Sequence, residues 1–133
     1  MRSREEVIRE FVQQWLNKAE SDLAAADVLL TTDALDYYPC AFHCQQAAEK
    51  FIKAYLVRHQ IEFRKTHDLE FLLRLTGQQL ENLESCTWLT PYGVEFRYPG
   101  EPEVDRATAQ HALDEARQVR QVIMEHLESY LEN

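Results

Sequence analysis

The chain has 133 residues and a mass of 15.7 kDa, which is the size of one domain. Hydrophobic residues make up 45% of it and charged residues 28%, which is enough apolar material for one core and argues against intrinsic disorder. The net charge of −9 argues against nucleic-acid binding over a broad surface, but it leaves room for a local basic site. Three glycines and four prolines are too few for the turns of a β-sandwich or barrel, so a helical domain is predicted.

The sequence shows neither a membrane segment nor a secretion signal. No stretch approaches the roughly 18 uninterrupted apolar residues of a membrane span. The charged residues 1–6 lead into helix rather than into the apolar block of a signal peptide. Three cysteines are a small and odd number, which is typical of reduced thiols. We therefore expect a cytoplasmic protein that does not associate with membranes.

Hydrophobic periodicity predicts most of the helices. Apolar residues recur at steps of three and four over residues 4–30, 37–60 and 105–131, and Asp36 is the expected N-cap of the second helix. Thr66 is the expected N-cap of a third helix, whose apolar face continues to Leu83. The pattern degrades over residues 84–100, where Thr90 and Pro91 indicate a short further helix, and residues 98–102 are expected to form a loop. The predicted fold is all-α: one domain over residues 1–133, an antiparallel up-and-down four-helix bundle with an additional short helix before the last long helix.

A basic segment stands out in this acidic chain. Residues 49–65 contain five basic side chains and two acidic ones, while the rest of the chain is strongly negative. Such a local excess of positive charge favours the binding of a phosphate group. The alternative is a solvated helix face on which Glu49 and Lys53 form an i,i+4 ion pair.

Three motifs in this order resemble the HEPN domain family: Gln45-Gln46-Ala47-Ala48-Glu49-Lys50 with Lys53-Ala54, then Thr66-His67-Asp68-Leu69, then Arg97-Tyr98-Pro99. The resemblance covers nearly the whole chain. It implies that the protein is an up-and-down helical bundle and that it commonly dimerises. It also implies that the protein is often encoded beside a minimal nucleotidyltransferase, in toxin–antitoxin-like pairs. It also implies that the protein either binds nucleotides or, as in a toxin-like branch, cleaves RNA without metal by means of an arginine and a histidine a few residues apart.

For the binding function, we predict that positive side chains from three segments converge on a phosphate group, with lysines as point charges and an arginine as a planar fork for two oxygens. These residues are Lys50, Lys53, Lys65, His67 and Arg97. The aromatic residues around Arg97 are expected to pack its loop onto the bundle, and they are Tyr92, Phe96 and Tyr98.

For the ribonuclease function, Arg106 and His111 have the required spacing and are the catalytic candidates. A base that accepts the ribose 2′-hydroxyl proton and a guanidinium that holds the scissile phosphate would suit this reaction. However, Ala107 occupies the place of the polar residue that usually follows the arginine. Five residues of regular helix also turn by about 500°, so the two side chains would lie roughly 140° apart. They would converge only across a dimer or in a distorted first helical turn, and otherwise they are two solvated residues.

Cys40, His43 and Cys44 lie within about one turn of helix and are possible zinc ligands. Cys86 is the remaining cysteine, and no second ligand pair stands at zinc-finger spacing. Burial of the cysteines as small hydrophobic side chains is therefore the preferred interpretation, and no metal or cofactor is predicted.

We predict a non-catalytic helical protein that partners a separately encoded nucleotidyltransferase in a toxin–antitoxin-like or defence system and binds a nucleotide or RNA phosphate. A homodimer is expected because the first and last helices are apolar over more than one face, with Val7 beside Ile8 and Val122 beside Ile123. The alternative function is a metal-independent endoribonuclease toxin that uses the pair of Arg106 and His111. A third interpretation is a dimeric scaffold without a ligand.

Overall fold

The computed structural model describes residues 1–77, 79–94 and 97–132. Within these ranges the chain is helical and has no β-strand, which confirms the predicted fold class. The elements are α1 (Arg4–Thr31), α2 (Tyr38–Arg58), α3 (Leu69–Leu75), a 3₁₀ segment (Glu84–Gly93) and α4 (Arg106–Glu132). Phe96, one of the predicted loop aromatics, lies outside the described residues.

The second helix, α2, forms the centre of the bundle. Residues on every side of it are buried, and fully buried alanines such as Ala41 and Ala48 allow neighbouring helices to approach closely. Helix α1 packs against it in the opposite direction, because Ala26 near the end of α1 contacts Cys40 near the start of α2. This central position makes α2 the element on which the other segments are fixed.

Helix α4 runs antiparallel to α1 and in the same direction as α2. At one end of the bundle Arg106 donates to the carbonyl of Leu30, and at the other end Arg9 lies over the ring of Tyr130. In the predicted up-and-down bundle, the second and fourth helices likewise run in the same direction and antiparallel to the first. Asp105 caps α4 by accepting a hydrogen bond from the backbone N–H of Thr108 at 2.7 Å.

The third position of the bundle differs in detail from the prediction. The predicted helix from Thr66 to Leu83 is wrong in its extent, because α3 has seven residues and Gly77 follows it with a φ of 67°. Asp68, not Thr66, caps α3: its carboxylate accepts from the N–H of Phe71 at 3.3 Å. Leu83 is still buried, but from the chain that follows α3. The third position is therefore filled by the short α3 together with the 3₁₀ segment.

Two further local predictions need correction. Thr90 and Pro91 do not begin a new helix, since they lie near the end of the 3₁₀ segment, where the hydroxyl of Thr90 accepts from the N–H of Leu69 at 3.1 Å. Asp36 is not the N-cap of α2, which is Tyr37. The Asp36 carboxylate instead accepts from the N–H groups of Tyr38 and Val104 and so connects the start of α2 to the segment before α4.

In the described parts of the chain, no helix has both the length and the apolar character needed to cross a membrane.

Candidate functional site

A buried polar network lies at the middle of α2. Glu49 and Lys53 are 3% and 5% exposed, and Lys53 Nζ lies 2.9 Å from Glu49 Oε2. The other carboxylate oxygen, Oε1, is 2.7 Å from Nδ1 of His67. The predicted i,i+4 pair therefore exists, but it is inside the protein rather than on a solvated face. In this network a buried carboxylate is shared between a lysine and a histidine.

The network fixes the chain between α2 and α3 onto α2. Lys53 Nζ also donates to the carbonyl of Thr66 at 3.2 Å, and the fully buried amide of Gln45 donates to the carbonyl of His67 at 2.9 Å. The ammonium group lies 5.4 Å from the ring centroid of Trp15 and 5.5 Å from that of Phe63. The positive charge of Lys53 is thus used for internal interactions.

Lys50 and Lys65 lie in different surroundings. Lys50 is paired with Asp22 of α1, whose second carboxylate oxygen is 2.9 Å from Nδ1 of His43. Lys65 is exposed and has neither an ion pair nor a hydrogen bond within the part of the chain that the structure describes. The side chain of His67 is 55% exposed. Lys65 and His67 are therefore the members of the predicted group that solvent or a ligand can reach most freely.

Arg97 does not join this group within one chain. It forms ion pairs with Glu101 at 2.9 Å and with Asp36 at 3.4 Å, and its guanidinium lies 4.2 Å from the ring centroid of Tyr38. Tyr38 and Glu49 are separated by about 16 Å along the axis of α2. The predicted convergence of three positive segments is therefore not found, because acidic neighbours hold Arg97 near the start of α2. Burial raises the pKa of Tyr38, and the charge of Arg97 partly opposes this increase.

The two ribonuclease candidates point to different neighbours. Arg106 donates to the backbone carbonyls of Leu30 and Thr32, the latter at 2.9 Å, and so caps the end of α1. The ring of His111 stacks against Trp88 at a centroid distance of 4.7 Å, and its side chain is 62% exposed. As the helix geometry predicts, Arg106 and His111 do not converge within one chain.

The cysteines are buried, as the sequence indicates. Cys40 and Cys44 are both fully buried, and Cys40 Sγ donates to the carbonyl of Ala26 at 3.3 Å. Its hydrogen bond with Cys40, together with burial, raises the pKa of the Cys44 thiol. His43 faces Asp22 rather than the two thiols. The described residues contain no group of three or more His, Cys, Asp or Glu side chains that could hold a metal ion.

A groove of about 860 Å³ lies between α1 and α4. Its apolar lining includes Leu23 and Met124, and two arginines of α4 lie along it. Arg120 makes a bidentate ion pair with Glu20 of α1, at 2.7 and 2.9 Å, which raises the pKa of its guanidinium. The sequence did not indicate this groove, because it depends on how two helices about a hundred residues apart are set against each other.

The described elements form a helical bundle with a buried polar network on α2. The profile of the HEPN domain matches residues 12–127, and the chain therefore belongs to the HEPN domain family. The crystal structure of an archaeal HEPN homologue superposes with a TM-score of 0.73 at 24% sequence identity, over 87% of this chain and 97% of that chain. This similarity concerns the fold. Comparison with curated protein sequences gives no significant match.

Proposed function

We propose that this HEPN protein is non-catalytic and acts as a homodimeric partner of a separately encoded nucleotidyltransferase in a toxin–antitoxin-like or defence system. We further propose that it binds a nucleotide or RNA phosphate at the basic segment around Lys65 and His67. In this account Lys50 and Lys53 are paired with Asp22 and Glu49 and hold the segment in place, and Arg97 lies apart from it. Family membership supports the class of partner. The surroundings of the individual residues support the non-catalytic role, the homodimer and the phosphate site.

The use of Arg106 is the observation that carries the proposal. Its guanidinium is occupied by the carbonyls of Leu30 and Thr32 and lies 4.8 Å from the ring centroid of Tyr37. An arginine that caps a neighbouring helix in this way is not available to hold a scissile phosphate beside His111. The net charge of −9 also weakens RNA binding, since phosphate contacts dominate that affinity.

The proposed homodimer is supported by the apolar side chains that the bundle leaves uncovered. Phe11 and Val28 on α1 are 51% and 64% exposed, and the groove along α4 adds the apolar surface of Leu23 and Met124. We expect light scattering to give the mass of a dimer at micromolar concentration. A monomer mass at high micromolar concentration would contradict this part of the proposal.

The phosphate site is tested by thermal shift with ATP at low ionic strength. We expect ATP to raise the melting temperature of the wild-type protein and added salt to weaken this effect. Lys65→Gln combined with His67→Gln should reduce the shift, because both side chains are exposed and lie at the end of the segment. Arg74→Gln is the matched control, since its side chain is 72% exposed and lies outside the segment. An equal ATP shift in the double variant would show that the segment binds no phosphate.

The alternative function, a metal-independent ribonuclease, is favoured by one observation: His111 is largely exposed, so a second subunit can reach it. Purified protein is incubated with end-labelled RNA in the presence of EDTA. We expect the wild-type protein and His111→Ala to leave the RNA equally intact. Cleavage by the wild-type protein that is lost in both His111→Ala and Arg106→Gln would establish the ribonuclease function instead.

A further inference from the structure

A second group of cations lies at the end of the bundle where α1 begins and where α2 and α4 end. Arg9 of α1 and Arg58 of α2 both lie over the ring of Tyr130 of α4, with guanidinium carbons 5.1 and 4.0 Å from the ring centroid. Three helices thus hold two positive charges close to one aromatic ring. We call Arg9, Arg58 and Tyr130 the terminal arginine cluster.

The two arginines lack acidic partners. Neither Arg9 nor Arg58 has a carboxylate within ion-pair distance in residues 1–77, 79–94 and 97–132. Arg117 and Arg120 of α4 pair with carboxylates, whereas Arg4 and Arg106 donate to neutral oxygens. The chain has 23 acidic and 14 basic residues, so acidic partners are abundant. Arg9 and Arg58 are therefore neighbouring cations whose charge no carboxylate of the described residues offsets by an ion pair.

The cluster also holds two buried polar atoms without a partner. These are Nε of Arg9 and the hydroxyl of Tyr130, a residue that is only 8% exposed. Both groups donate hydrogen bonds, and buried polar groups in folded proteins are nearly always paired. The cluster thus combines unneutralised positive charge with unused donors, and both features call for an anion with several acceptor oxygens.

Two exposed histidines lie beside the cluster at the same end of the bundle. His59 follows Arg58, and burial, the charge of Arg58 and the charge of His126 all lower its pKa. The ring centroid of Tyr55 lies 4.5 Å from that of His59 and 5.9 Å from that of His126. The first turn of α1 carries Glu5 and Glu6, which are exposed and make no ion pair with the cluster.

We propose that the terminal arginine cluster binds a phosphate monoester or polyphosphate group. Such a group carries about −1.5 to −2 charges at neutral pH and has three acceptor oxygens, which suits two guanidinium forks better than a singly charged carboxylate does. Arg9 and Arg58 hold the phosphate oxygens, and Tyr130 fixes the two guanidinium groups by stacking. This site is separate from Lys65 and does not depend on the function proposed above.

The test measures pyrophosphate binding to the full chain by calorimetry at low ionic strength. We expect the wild-type protein to bind pyrophosphate and Arg9→Gln combined with Arg58→Gln to bind it at least tenfold more weakly. The matched control is Lys18→Gln combined with Arg74→Gln, which removes the same charge from two exposed side chains outside both proposed sites and should bind like the wild type. Wild-type-like binding by the Arg9/Arg58 variant, or no binding by the wild type at millimolar pyrophosphate, would overturn the proposal.

Two additions keep the outcome specific. Arg58→Lys retains the charge but loses the planar guanidinium that stacks on Tyr130 and holds two oxygens. It should therefore weaken binding even if the double variant fails to fold, and unchanged binding by Arg58→Lys would count against the proposal. An RNA oligonucleotide without a terminal phosphate carries only diesters. If the wild type binds this RNA but not pyrophosphate, and the Arg9/Arg58 variant does not bind the RNA, then the cluster binds phosphodiesters and the proposed ligand class is wrong. Loss of pyrophosphate binding in Lys65→Gln with His67→Gln, but not in the Arg9/Arg58 variant, would assign the phosphate to the basic segment instead.

Discussion

Removal of the Glu49 carboxylate should be among the most destabilising single changes in the protein. The side chains of Glu49 and Lys53 are 4% and 7% exposed, and their charged atoms are 2.9 Å apart. Glu49→Ala leaves the ammonium group of Lys53 buried without an opposite charge, and it removes the acceptor 2.7 Å from Nδ1 of His67. Breaking one side of a buried ion pair typically costs about 3–5 kcal/mol, which we expect here for the free energy of unfolding.

Urea unfolding followed by circular dichroism measures this change, and a double variant separates the charge from the packing. Glu49→Leu combined with Lys53→Met removes both charges and keeps apolar volume, so it should recover most of the lost stability. Glu70→Ala is the control, because its pair with Arg74 is 4.0 Å long and about 70% exposed on each side, and it should change stability by less than about 0.5 kcal/mol.

Two results would refute this reasoning. One is a cost for Glu49→Ala no larger than that for Glu70→Ala, which would mean that the network is accessible to water. The other is a double variant that is as unstable as Glu49→Ala, which would mean that the network stabilises through its hydrogen bonds to the following loop rather than through charge balance.

Three further predictions follow from single contacts. Gly93→Ala places a Cβ 2.9 Å from Cδ of the buried Gln45. Urea unfolding should therefore show a free energy of unfolding that is lower by about 1–3 kcal/mol. An unchanged free energy of unfolding would mean that the Gln45 amide moves freely. Burial raises the pKa of Cys86 to about 12. Iodoacetamide at pH 8 should therefore label this thiol far more slowly in native than in unfolded protein, and equal labelling rates would contradict its burial. Hydrogen bonds from Thr108 lower the pKa of Asp105 in the folded protein. The ionised carboxylate therefore adds stability above its unfolded pKa, and this stability is lost as the pH falls through the folded pKa. Asp105→Ala should lessen the acid-induced fall in melting temperature, and an unchanged pH profile would contradict this.

The long helices could be predicted from the sequence because each carries an uninterrupted apolar period. The observed bounds of α1, α2 and α4 lie within two residues of the predicted ones. The third element could not be predicted equally well. Leu80 and Leu83 continue the helical spacing, yet Gly77 ends the helix, and both leucines reach the core from irregular chain. Periodicity reports which side chains are buried, but not always the backbone that carries them.

The candidate site was predictable in its residues but not in their surroundings. The sequence shows that Lys53 and Glu49 are one turn apart, but their burial depends on how Trp15 and the chain after α2 cover them. Arg97 is neutralised in part by Asp36, a residue 61 positions earlier. Such distant contacts have no local signal in a single sequence, and for the same reason the terminal arginine cluster, whose members come from three helices, was not indicated.

Native mass spectrometry of the purified protein tests the central claim most directly, because one spectrum reports both the number of subunits and any bound phosphate compound. The proposed function predicts a species of twice 15.7 kDa and an additional mass that corresponds to a phosphorylated ligand, which collisional activation releases. A monomer of 15.7 kDa without added mass, unchanged when ATP or pyrophosphate is supplied, would contradict the account of a dimeric, phosphate-binding HEPN protein.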